Sequence, residues 1–244
     1  MRITAVLLAV LASIACAAPG NPPAPGIPDG WKLVLEEHFD TVASLRRLEC
    51  TDPTAWQFAA DGSSHALELA RQSRYEPPVR SPVNIALLSG IELGDFILEV
   101  DLLQTGREYG HRDMCVFLGL RDPSHFYYVH LATEADDHAH NIFLVDGAPR
   151  RKIAERSTTG VKWGQEVWHR IRIERRVSTG LIRVFFDDLA TPIMETHDTR
   201  FVSGRVGFGS FDDTGKVDSI RIWSPQPITT NAPVIFKGWE PKQP

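Results

Sequence analysis

Five of the nine histidines in the chain, His111, His125, His130, His138 and His140, fall within thirty consecutive residues. Imidazole can donate or accept a hydrogen bond, carry a proton near neutral pH and ligate a metal, so the cluster admits several chemistries. One is recognition of a sugar, with Tyr128 as a ring platform and His111, Arg112, His130, His138, His140 and Asn141 as hydrogen-bonding groups. Another is proton transfer near a sugar carbon or glycosidic oxygen by His130 or Tyr128, with Arg80 or Arg112 stabilising developing negative charge. A third is metal ligation, because His138-x-His140 beside Asp136 and Asp137 offers imidazole and carboxylate groups at close spacing. The bland alternative has each histidine satisfied singly as a turn cap or surface group, above all His125 in the turn after Pro123-Ser124.

Strands must position these groups. Along Phe126–Leu131 the pleat puts Phe126, Tyr128 and His130 on one face and Tyr127, Val129 and Leu131 on the other, which sets Tyr128 beside His130. Phe96, Leu98, Val100 and Leu102 make the same kind of apolar face, opposite Ile97, Glu99, Asp101 and Leu103. Further period-two runs are expected at Trp31–Glu36, Ala66–Ala70, Val83–Leu88, Met114–Leu120, Asn141–Val145, Val167–Ile173, Leu181–Phe186, Arg205–Phe208 and Val217–Trp223. Helical spacing is confined to a turn or two at Thr41–Glu49. Asp187-Asp188 and Asp212-Asp213-Thr214-Gly215 read as tight turns. So many strands without intervening helices predict an all-β fold of two antiparallel sheets.

The limits of the folded unit come from composition. Residues 1–16 read as an export signal, with a small-x-small cleavage site at Ala15-Cys16-Ala17 or a lipoprotein-like box that would lipidate Cys16. Either outcome places the domain outside the cytoplasm, secreted, periplasmic or on the cell surface, with membrane contact only through that anchor. A proline-rich tether at 17–28, a domain at 29–224 and a second proline-rich tail at 225–244 follow. The net charge of −5, without a cluster of Lys and Arg, argues against a nucleic-acid partner. Cys50 and Cys115 are expected as free thiols, although export permits a disulfide between them. The chain lacks a Gly-x-Ser-x-Gly elbow, a phosphate loop and a dinucleotide fingerprint, and no cofactor is expected.

Three segments carry a likeness. Trp168-His-Arg-Ile-Arg-Ile-Glu174, Gly180-Leu-Ile-Arg-Val-Phe-Phe-Asp-Asp188 and Gly204-Arg-Val-Gly-Phe-Gly-Ser-Phe-Asp-Asp-Thr-Gly215 with its continuation to Trp223 resemble the closing half of a concanavalin A-like jelly-roll sandwich. The likeness spans about Asp29–Trp223 and is nearest to bacterial laminin-G-like and 3-keto-disaccharide-hydrolase-like domains. It implies an exported module with a carbohydrate ligand, met on the concave sheet face. It also implies two enzymatic alternatives. Some jelly-roll lyases use Gln-x-His with Tyr and Arg, where this chain has Tyr128-Val129-His130; laminarinase-type glucanases use Glu-x-Asp-x-x-Glu, where it has Glu99, Asp101 and Gln104. Without the last acid, Glu99 and Asp101 serve equally as ligand-binding groups or a solvated strand face. Asp212, Asp213 and Asp218 would be calcium ligands in such a fold or, more simply, turn caps. The reading is thus a carbohydrate-recognition domain, with a lyase or hydrolase using the His/Tyr cluster, or a structural or adhesion module with envelope partners, as alternatives.

Overall fold

The computed structural model describes residues 26–226, 228 and 230–239. The expected export signal, Cys16 and most of the expected tether lie outside the described residues. The strands in chain order are β1 Lys32–Glu37, β2 Leu48–Cys50, β3 Trp56–Asp61, β4 Ser64–Leu69, β5 Asn84–Leu88, β6 Phe96–Gln104, β7 Asp113–Asp122 and β8 His125–Ala132. They continue as β9 Asn141–Asp146, β10 Arg151–Lys152, β11 Arg156–Ser157, β12 Trp168–Arg176, β13 Leu181–Phe186, β14 Met194–His197, β15 Arg205–Ser210, β16 Gly215–Ser224 and β17 Lys237–Gly238. Thr41–Glu49, expected to be a helical turn, holds one 3-10 segment at Val42–Arg47 and then enters β2.

These strands pair antiparallel into two sheets. A nine-stranded sheet has the order β11-β14-β13-β12-β6-β16-β4-β3, with β1 also on β16; an eight-stranded sheet has the order β10-β9-β8-β7-β15-β5-β2-β17. Strand β16 serves two neighbours on one edge. Its first half pairs with β4 and its second with β1, and its register against β6 shifts between Asp218 and Arg221, around Ser219 at φ 52°.

The core lies between the sheets, where alternate residues of each strand meet. Leu98, Val100 and Leu102 of β6 and Ile171 and Ile173 of β12 share it with Met114, Val116 and Leu118 of β7 and Tyr127, Val129 and Leu131 of β8. Each fully buried aliphatic side chain contributes about 1.5–3 kcal/mol of transfer free energy. Tyr127 adds a polar tie: its hydroxyl donates to Asp198 Oδ1 at 2.5 Å and accepts from Phe201 N–H at 3.1 Å. Tyr127→Phe leaves that buried N–H without its acceptor, and urea denaturation is expected to show a loss of about 1–3 kcal/mol. A loss under 0.5 kcal/mol would mean that solvent satisfies the group.

Part of the expected proline-rich tail packs on the eight-stranded sheet. Lys237-Gly238 pair with Cys50-Glu49 as the edge strand of the eight-stranded sheet, and Phe236 is buried on that sheet's outer face. The segment does so because Glu49 Oε2 accepts from Ile235 N–H at 2.8 Å and Phe236 N–H at 3.3 Å. Cys50 faces the core while Cys115 faces the outer cluster, so both are buried free thiols.

Candidate functional site

The outer face of the eight-stranded sheet is apolar for most of its area. Phe126 and Tyr128 of β8, Cys115 and Phe117 of β7 and Phe143 and Val145 of β9 form a second buried cluster there. Tyr75, Val79, Ile235 and Phe236 pack over it, so the loop before β5 and the C-terminal segment act as its cover. The uncovered end is polar. It gathers His130, Asp113, the Phe211-Asp212-Asp213 turn after β15, and Arg150 from the approach to β10.

Arg150 organises this end. Its guanidinium donates to the Tyr128 hydroxyl at 2.9 Å and lies 3.9 Å from the Phe211 ring centre and 5.1 Å from that of Phe143. Tyr128 stacks on Phe143 at 5.1 Å. His130 meets Tyr128, Phe143 and Phe211 edge-on, between 5.9 and 6.2 Å. The result is a half-buried cation held by one hydroxyl and two ring faces.

Beneath it sits an acidic cluster. Asp213 Oδ2 accepts from Asp113 N–H at 3.0 Å and from the Tyr109 hydroxyl at 2.8 Å, while Asp113 Oδ2 accepts from Phe211 N–H at 2.9 Å. Burial, and then the Asp113 charge, push Asp213 up to about 6 and also raise Asp212. Burial drives the Tyr128 hydroxyl well above the usual phenol range, so it is a neutral hydrogen-bonding group. Two sets of donor atoms lie within 4.8 Å of one another, Asp113 with Cys115 and His130, and Asp113 with Asp212 and Asp213.

The other histidines go elsewhere. His111 is exposed and pairs with Asp136 at 2.6 Å. His138 is exposed on the same loop, whereas His140 is wholly buried, Nε2 meeting Thr158 Oγ1 at 2.9 Å, and burial pulls its pKa down to about 4. The two imidazoles of His138-x-His140 therefore part company, and neither joins a set of potential metal donors among the described residues. His125 pairs with Asp122 at 2.9 Å in the turn. Asn141 Oδ1 accepts from Ala154 N–H at 3.0 Å, a hairpin brace. Arg112 is buried, bound to Gln104 Oε1 and to the Gly164 carbonyl at 2.8 Å. Arg80 has an exposed side chain beside the site, its carbonyl accepting from Arg150 N–H at 3.1 Å.

Glu99 and Asp101 lie on the outer face of the other sheet, across the whole sandwich from His130. Arg172 engages Glu99, and Arg170 binds Asp101 through two contacts at 2.6 and 2.8 Å. Strand β6 pairs with β12 without a register shift from Phe96 to Leu103, so Gln104 falls on the core side, opposite to Glu99 and Asp101. A surface pocket there is lined by Glu99 and Asp188 together with Arg170, Arg172 and Arg221, and Asp101 does not line it. Asp218 lies near Asp101 and is likewise remote from Asp212 and Asp213. The groups that reasoning from spacing passed over are Asp113, Arg150 and Phe211. Asp113 was legible, since it shares a face with Cys115 two residues on; Arg150 and Phe211 reach the site only through strand pairing.

No protein-family model and no curated protein matches this chain. Solved structures do. The carbohydrate-binding module CBM66 from Bacillus subtilis aligns at 16% identity and TM-score 0.52, covering 73% of this chain and 96% of that one. Winged bean acidic lectin, complexed with methyl-alpha-D-galactose, aligns at 12% and 0.53, covering 76% and 94%. Domain 4 of AbnA, a GH43 extracellular arabinanase from Geobacillus stearothermophilus, in complex with arabinotriose, aligns at 12% and 0.50, covering 83% and 99%. At these identities the likeness speaks for architecture alone, and together with the two antiparallel sheets it establishes that the chain has the jelly-roll sandwich fold that these structures share.

Proposed function

We propose that this chain is an exported carbohydrate-recognition domain that acts on an extracellular glycan and holds it at the uncovered end of the eight-stranded sheet. The observation that carries the reading is Arg150: a guanidinium fixed by Tyr128 and two rings, with Phe211 half-buried beside it and Arg80 exposed alongside. Fixed donors beside an aromatic edge suit sugar hydroxyls and the apolar faces of sugar rings. Residues 1–16 support export, with anchoring through Cys16 as one form of it. Recognition is favoured over turnover by accessibility, because His130 and Tyr128 are buried and a glycosidic oxygen would have to come within hydrogen-bond reach of them.

A glycan array and a polysaccharide-degradation screen on the same preparation test this. Binding without new reducing or unsaturated ends is expected, and Arg150→Ala should weaken it about tenfold or more, the worth of a charged hydrogen bond. Released products would move the reading to a lyase or hydrolase. Failure to retain any glycan would favour the structural or adhesion module.

A further inference from the structure

The same end of the sheet holds a set of donors that sugar recognition does not use. Asp113 and Cys115 stand two residues apart on β7 and share a face, and Cys115 is the direct cross-strand partner of His130 on β8. A carboxylate oxygen, the thiol sulfur and a ring nitrogen thereby come within 4.8 Å of one another. Asp113 is 0% exposed and His130 3%. Neither ring nitrogen of His130 has a hydrogen-bond partner among the described residues, and nor does Asp113 Oδ1. His130 Nε2 approaches Asp113 Oδ2 to 3.2 Å, but that oxygen is already taken by Phe211 N–H and by the Cys115 thiol at 3.1 Å. Buried imidazole and carboxylate atoms left in this state are costly unless something between them accepts their lone pairs.

We propose that Asp113, Cys115 and His130, closed by Asp212, bind a divalent transition cation of the zinc class. One sulfur, one imidazole and two carboxylates form a mixed donor set that suits a tetrahedral zinc-like ion, whereas calcium and magnesium take oxygen ligands. Asp113 offers Oδ1, since Oδ2 is engaged. Asp212 is the natural fourth ligand, because Asp213 of the same turn already serves Tyr109 and the Asp113 backbone. Three carboxylates meet here with Arg150 as the neighbouring guanidinium, so a dication also improves the local charge balance. On binding, the Cys115 thiol proton leaves to solvent and no electron changes hands. The ion would tie β7 and β8 to the Phe211–Asp213 turn and so fix Phe211 beneath a ligand.

The test uses the full chain, stripped by a chelator and titrated with Zn²⁺ and then Co²⁺, with no glycan present. One equivalent of Zn²⁺ should bind and raise Tm, and Co²⁺ should give a near-ultraviolet thiolate-to-cobalt band. Cys115→Ser, checked for folding by circular dichroism, should abolish that band. Asp212→Asn, on an exposed turn that needs no repacking, should weaken zinc at least about tenfold. Absence of stoichiometric uptake by the folded protein, or a cobalt band that survives in Cys115→Ser, overturns the proposal. So does uptake without any sulfur band. Because these readouts need no sugar, their failure is separable from failure of the recognition reading.

Discussion

Glu49→Ala is expected to destabilise the domain by about 3–5 kcal/mol, the cost of leaving one member of a buried ion pair alone. Arg205 and Glu49 are both buried, 2.6 Å apart, and every arm of the pair is used. Arg205 also donates to the Leu88 carbonyl at 2.7 Å and to that of Pro233 at 2.8 Å, and Glu49 accepts from Ser89 Oγ at 3.1 Å as well as from the Ile235 and Phe236 amides. The pair therefore locks β2, β5 and β15 to the C-terminal segment that covers the outer face. Removing the carboxylate strands Arg205 without a counter-charge and frees that cover, so chymotrypsin should cut after Phe236 in Glu49→Ala and not in the parent. A loss below 1 kcal/mol in urea, with the tail still protected, would refute this account.

The same group sets a pH dependence. Burial raises the Glu49 pKa, but the Arg205 bond and charge and the two amides outweigh it and hold the carboxyl below its ordinary value. A carboxyl depressed in the folded state gives its full stabilisation above the unfolded value of about 4.5 and loses it as pH falls through the folded one. Denaturation midpoints should fall below about pH 4.5 in the parent, and the slope should flatten in Glu49→Gln. An unchanged slope would assign the acid sensitivity to other carboxylates.

Gly209→Ala is the second large effect expected, about 3 kcal/mol or more, because no side-chain rotation can relieve the contact. A β-carbon there would sit 1.8 Å from the Asn84 carbonyl oxygen and 3.3 Å from the Phe117 ring. Gly209 is paired on both sides, with Ile85 of β5 and Cys115 of β7, so one ladder must open to admit a methyl. The opening would occur two residues before Phe211, and glycan binding should fall with stability. Gly238→Ala, where a β-carbon meets nothing within 4 Å, is the control and should stay within about 0.5 kcal/mol. Equal midpoints for the two variants would show that β15 adapts without cost.

Much of the sandwich was legible because the strand pleat is a local property. Alternation alone put Tyr127, Val129 and Leu131 on one face and Phe126, Tyr128 and His130 on the other; the structure keeps that division and turns the first face to the core and the second outward. The weaker runs escaped. Trp56-Gln-Phe-Ala-Ala-Asp61 becomes β3 although its alanines blunt the pattern, and β17 lies inside what read as a proline-rich tail.

The site was less legible, and its residues show why. Local backbone geometry and residue order suffice to set Tyr128 and His130 on one face, to make a turn of Asp212-Asp213 and to crowd the histidines into one stretch. Which of them meet depends on long-range strand pairing. His111, His138 and His140, near His130 in the chain, were drawn off to an exposed carboxylate, to solvent and to Thr158. Phe211 arrived instead, about a hundred residues from Asp113, because β15 inserts between β7 and β5. Spacing along a chain fixes the direction of a side chain through backbone geometry, but its neighbours depend on which strands pair, and that choice is made by the burial of the whole core.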